Sequence, residues 1–240
     1  MFAILEHAVM RIFMFTWVRI SPNSWRGYPR PKDNPTVFAD GPKPHKVILA
    51  GSGIVIGYGV ASHELALGGS FARTLTAQTQ RGAEVTTVTA PGFSVPRARK
   101  QLNSRLLADA DMVVLSFGTF EILTLMPPRR WGAQLEALVA SVLARSAPHT
   151  QVFLVDCNTP KMSTFAAAYQ RRIGQTAAGF NEHLAATAHA HDRVHRVEFR
   201  PVAEDAEKIE GRSRYQEWAA SLIADVVAHL PPDSTGGKSK

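Results

Sequence analysis

Four apolar residues, Val47, Ile48, Leu49 and Ala50, run into Gly51, and glycine returns at positions 53, 57 and 59. The run has the composition of a strand buried on both faces. The glycines that follow permit a sharp turn at its carboxyl end. Similar strand-like stretches recur at residues 84–89, 112–117 and 151–155, with a weaker one at 194–199. Helical spacing fills the intervals: residues 65–80 place Leu65, Phe71 and Leu75 in register, and residues 98–107 follow suit. Residues 130–145 set Leu135, Leu138, Val139 and Val142 on one stripe. Residues 163–190 are alanine-rich and helical, with Gly174 and Gly179 placed to bend or split the element. A last helix covers residues 215–230, and Pro231 and Pro232 stop it.

Strands alternating with helices predict a three-layer α/β/α domain around a parallel sheet of about five strands. The natural strand order is the flavodoxin-like 2-1-3-4-5, in which ligands bind beyond the carboxyl ends of the strands, where the order reverses. Residues 51–57, 91–95 and 118–121 all fall at such ends and converge on one crevice. The domain therefore spans residues 46–230, preceded by an accessory segment at 1–45 and followed by a polar tail at 231–240, which is expected to be disordered.

The accessory segment has two parts. Residues 1–20 are apolar but broken by Glu6, His7, Arg11 and Arg19, and the uninterrupted run of residues 12–18 is too short to span a bilayer. No small-residue cleavage site follows, so a secretory signal is not expected. A helix packed on the domain is the first expectation, and peripheral contact with a membrane surface the second. Residues 21–45 hold six prolines, which excludes helix and sheet interior and predicts an extended linker on the surface.

The net charge of +7 is spread over the N-terminal segment, the stretch of Arg97, Arg99 and Lys100, and the tail. It is not interleaved with aromatic stacking residues, so nucleic acid is not an expected partner. The single cysteine, Cys157, follows an apolar run and reads as a buried, inert thiol in a reducing, cytoplasmic setting. The histidines show no ligand spacing with carboxylates and are expected at the surface, so neither a metal nor a cofactor is implied. No phosphate-binding glycine loop is present, because the third glycine lies at the wrong spacing.

The block from Val47 to Val60 resembles the nucleophile-bearing first block of the SGNH/GDSL hydrolases: apolar strand, Gly-Asp-Ser, a short spacer, Gly-Tyr-Gly. Gly51 and the triplet Gly57, Tyr58, Gly59 match without a gap. The resemblance implies an esterase, lipase or acyltransferase ancestry over residues 46–230. On its register Ser52 stands in the aspartate's place and Gly53 in the nucleophile's. In the second block Gly92 and Ser94 match, while Val95 replaces the oxyanion glycine. In the third Gly118 matches, Phe120 replaces the asparagine and Glu121 the aspartate. The helix opened by Tyr215 matches the last block, and counting back six residues puts Ile209 in the histidine's place, with no histidine between His195 and His229.

Ester hydrolysis of this kind needs a hydroxyl nucleophile, a base to take its proton and donors for the oxyanion. Gly53, Val95, Phe120 and Ile209 leave those roles vacant together. The expected function is a hydrolase-like protein without standard Ser-His activity. It would bind a small acyl or sugar-like ligand, or a protein partner, in the crevice formed by Gly51, Gly53, Gly92, Val95, Gly118, Phe120, Glu121 and Ile209. The alternative is an ester hydrolase or acyltransferase with rearranged groups, using Ser52 as a displaced nucleophile with His63 as the nearest base in sequence. Otherwise the Ser52 hydroxyl caps the following helix, and Glu121 pairs with an arginine such as Arg97. Phe120 and Ile209 should lie together near Gly53 and Val95.

Overall fold

The computed structural model describes residues 2–21, 24–90, 92–159, 167–199 and 211–230. An N-terminal helix, α1 (Phe2–Ile20), leads through a short 3₁₀ turn (Trp25–Gly27) to strand β1 (Thr36–Ala39). Then follow β2 (His45–Gly51), a 3₁₀ turn (Gly53–Ile56), α2 (Leu67–Thr79) and β3 (Ala83–Val88). Two short helices, α3 (Val95–Gln101) and α4 (Ser104–Leu107), precede β4 (Met112–Ser116). The chain continues through α5 (Thr119–Leu123), α6 (Pro128–Leu143), β5 (Gln151–Val155), α7 (Ala167–His189), β6 (Val194–Val197) and α8 (Gly211–Val227).

The sheet has six strands in the order β1-β3-β2-β4-β5-β6. All pairs are parallel except β1 with β3. Without β1, the order is the predicted 2-1-3-4-5. The sixth strand corrects the expectation of an uninterrupted linker over residues 21–45. Proline is barred from sheet interiors but tolerated beside an edge strand. β1 is such an edge, four residues long between Pro35 and Pro42, and Thr36 shares a 3.0 Å hydrogen bond with Thr86 across it.

Alternation along the strands builds two cores. Ile48, Ala50, Val113, Leu115, Val152 and Leu154 face α3–α7, where Trp131 of α6 stacks on Phe180 of α7 at 4.2 Å. Val47, Leu49, Met112, Val114, Phe153 and Val155 face α2 and α8. Each such side chain removed from water contributes about 1.5–3 kcal/mol before ordering costs, so the sheet's centre is held from both sides.

Two helix expectations change in detail. The helix expected over residues 98–107 is two, because Asn103 ends the first and caps the second, its side chain accepting from the Leu106 N–H at 3.1 Å. Helix α7 runs unbroken through Gly174 and Gly179, neither of which splits it. The tail at 231–240 lies outside the described residues.

Helix α1 docks on the domain. Its inward face presents His7, Met10, Met14 and Trp17, spaced three and four apart. Met14 is fully buried, and His7 bonds through Nδ1 to the Thr124 carbonyl at 2.8 Å. Glu6 pairs with Arg172 of α7. Among the described residues no helix is long and apolar enough to cross a membrane.

Candidate functional site

Two of the loops expected to form the crevice leave the carboxyl ends of β2 and β4. Gly51 closes β2 in register with Ser116 of β4. The two strand ends are clamped: the Ser52 N–H donates to the Ser116 carbonyl at 2.8 Å, and Thr89 Oγ1 donates to the Gly51 carbonyl at 2.6 Å. The approach is so close that a Cβ at Gly51 would fall on the Ser116 carbonyl oxygen. The first matched block also touches the last, since the Tyr215 hydroxyl donates to the Tyr58 carbonyl at 2.9 Å.

Gly53 has φ +60, a left-handed conformation that a side chain disfavours. A Cβ there would collide with Thr119 Oγ1. Thr119, the first residue of α5, thus fills the space into which a residue-53 side chain would extend. Sequence reading passed over Thr119. Its place directly after the matched Gly118 was the available signal.

Ser52 is buried, in extended backbone at φ −120, and its hydroxyl finds no partner among the described residues. The expected capping bond to the following turn is therefore not made. No hydrogen bond joins the Ser52 hydroxyl to His63. The imidazole bonds through Nδ1 to Asp33 Oδ1 at 2.7 Å, and the His63 backbone N–H donates to the same carboxylate. That pair fastens the N-terminal arm to the turn after β2.

The other loops also depart from expectation. Gly92 is exposed, with φ +69. Val95 is fully buried in the core with Ala98, so its side chain packs inward instead of lining the crevice. Phe120 is half-buried and sets its ring 5.2 Å from that of Phe15 on α1, a contact that no sequence spacing announced. Ile209 lies outside the described residues, and its predicted meeting with Phe120 with it.

Glu121 is not paired with Arg97, whose guanidinium donates to the Gly92 carbonyl at 3.1 Å. Glu121 is buried, with Oε2 unpartnered among the described residues. Burial pushes its carboxyl up to about 7, against one lowering backbone hydrogen bond. Cys157 sits beside it as a buried thiol donating to the Phe117 carbonyl at 3.1 Å. Burial and then the neighbouring Glu121 and Asp156 charges raise the thiol well above its ordinary value, so it is held protonated and inert.

The histidines are not all at the surface. His7, His45 and His63 are buried, His195 bonds Gln151 and lies against His229, and His191 pairs with Glu136. None of these contacts reaches Ser52. Among the described residues no group of three His, Cys, Asp or Glu converges as a metal site would. Two surface depressions, one including Ser70, Arg73 and Gln216 and the other Pro127, Glu182 and His183, contain no crevice residue.

Comparison with known proteins agrees with this architecture. The structure is similar to a family two carbohydrate esterase from Cellvibrio japonicus (TM-score 0.58, 13% identity), over 79% of this chain and 62% of that one, so it spans less than two thirds of that relative. It is similar to a Clostridium thermocellum family 3 carbohydrate esterase (TM-score 0.58, 14% identity), over 78% of this chain and 96% of that one. The esterase EstA from Pseudoalteromonas sp. is a third (TM-score 0.54, 14% identity), over 77% of this chain and 99% of that one. At these identities the likeness shows the fold alone. No curated protein matches the chain in sequence. The model of the GDSL-like Lipase/Acylhydrolase family matches residues 49–225, which contain the glycine turn, the strand-end loops and the closing helix, and the chain belongs to that family.

Proposed function

We propose that this chain is a non-catalytic member of the GDSL-like family, binding a small acyl or sugar-like ligand or a protein partner at the crevice between β2 and β4. One observation carries the reading. Thr119 fills the place of a side chain at position 53, so the loss of the nucleophile is matched by repacking around it. A lone Gly53 substitution would leave a gap; a threonine built into the gap is a coherent alternative interior. The sequence supports the same reading, with Phe120 and Ile209 standing where the family resemblance puts an oxyanion donor and a base.

Two expected results test it. The substitution Gly53→Ser, alone or with Thr119→Ala to make room, should leave hydrolysis of an activated acyl ester at background. A gain of about a hundredfold, the usual worth of a positioned general base, would overturn the reading. Titration with an esterified sugar, the ligand class suggested by the carbohydrate-esterase neighbours, should shift the amide resonances of Gly53, Gly92 and Thr119. Shifts confined to other regions would count against the crevice as the binding site.

A second reading, an ester hydrolase or acyltransferase with rearranged groups, is favoured by the esterases among the structural neighbours. It requires Ser52 or Thr119 to find a base in the working enzyme.

A further inference from the structure

Helix α1 buries one apolar face on the domain and leaves a second one open. Ile4, Leu5, Val9, Ile12 and Ile20 are 56–76% exposed, and Phe13 is 46% exposed. With Ala8 and Thr16, also exposed, they recur at steps of four along positions 4, 8, 12, 16 and 20, and at 5, 9 and 13. That spacing makes a continuous stripe opposite the docked residues His7, Met10, Met14 and Trp17. Scattered exposed aliphatics are normal on a soluble surface, but a stripe of this length on one helix marks an interaction face.

The charge of the N-terminal segment selects the occupant. Residues 1–32 carry five basic side chains, Arg11, Arg19, Arg26, Arg30 and Lys32, against the single acid Glu6. Glu6 is engaged by Arg172. Arg11, Arg30 and Lys32 are exposed, and Arg11 lies 5.6 Å from the centre of the Phe15 ring at the stripe's margin. A second copy laid against this face would bring two such cationic segments together, whereas an anionic surface would neutralise them.

We propose that the outward face of α1 seats this protein on an anionic lipid surface, with the aliphatic stripe entering the interface and the arginines and lysine meeting headgroups. The helix lies in the plane of the surface, since its opposite face is fixed to the domain by Met14 and His7. Through Phe15 it also abuts Phe120 at the edge of the crevice.

The test uses the full chain and sedimentation with vesicles of phosphatidylcholine alone or with about 30% phosphatidylglycerol, at low and at about 0.5 M salt. Binding is expected to the anionic vesicles only, and to weaken at least about tenfold in high salt. The triple variant Leu5→Ser, Ile12→Ser, Ile20→Ser changes exposed positions only and should retain its melting temperature while losing at least about tenfold in vesicle affinity. The charge variant Arg11→Gln, Arg30→Gln, Lys32→Gln should lose anionic preference by a separate route. Failure of the intact chain to sediment with anionic vesicles, or binding untouched by the triple variant, overturns the proposal. A dimer that the triple variant dissolves would likewise overturn it, assigning the face to a second copy.

Discussion

The substitution Glu121→Gln is expected to stabilise the protein at about pH 8 by about 3 kcal/mol and to change little at about pH 4. The Glu121 carboxyl is buried among α5, Cys157 and the end of β4, and rises from 4.5 to about 7 because its ionised form loses water there. Below the unfolded value both states are protonated and no penalty exists. As pH rises from 4.5 toward about 7, the unfolded chain releases the proton while the folded one retains it, so stability falls. Above about 7 both states are ionised and the penalty is constant. Glutamine has nearly the same shape and no proton to lose, so the gap between variant and parent should open across that window. Urea unfolding at several pH values measures it. A difference that does not vary with pH would show that Glu121 finds a compensating partner.

The substitution Gly51→Ala should cost about 3 kcal/mol or more, although it adds only one carbon. That carbon would fall on the Ser116 carbonyl oxygen, 2.9 Å from the Ser116 carbonyl carbon and 3.0 Å from Val55 Cγ2. The oxygen cannot retreat, since it accepts the Ser52 N–H and belongs to the central strand pair. Relief would require β2 and β4 to part at the crevice. Denaturant midpoints of the two proteins give the cost, and a change under about 0.5 kcal/mol, as at an ordinary surface position, would mean that the strand ends are not clamped as described.

These two positions also show what the sequence made legible. Gly51 was recognisable because a buried parallel strand is a continuous apolar run, and the glycines after it match a spacing that few other loops share. Strands β4 and β5 followed for the same reason. Strand β1 was hidden by the prolines around it, because edge pairing needs only four residues and has no period of its own. The site was legible as a set of missing groups, since the absence of serine at 53 or histidine at 209 is a fact of the sequence. What fills the vacated space was not legible. Thr119 meets Gly53, Phe120 meets Phe15, and Asp33 meets His63 across large sequence separations, and each contact depends on side-chain packing that periodicity does not encode. The mistaken pairing of Glu121 with Arg97 has the same origin: a carboxylate in a strand-end loop usually reaches solvent, whereas here a short helix turns it inward.

The proposal that the crevice binds without cleaving esters rests on the lack of an activated hydroxyl among the described residues, and that is directly measurable. The intact chain should be incubated with a fluorophosphonate serine-hydrolase probe and weighed by mass spectrometry. No adduct is expected, because among the described residues the Ser52 hydroxyl has no hydrogen-bond partner and Thr119 has no hydrogen bond to a histidine. A stoichiometric adduct that disappears in Ser52→Ala or in Thr119→Ala would contradict it and identify the nucleophile.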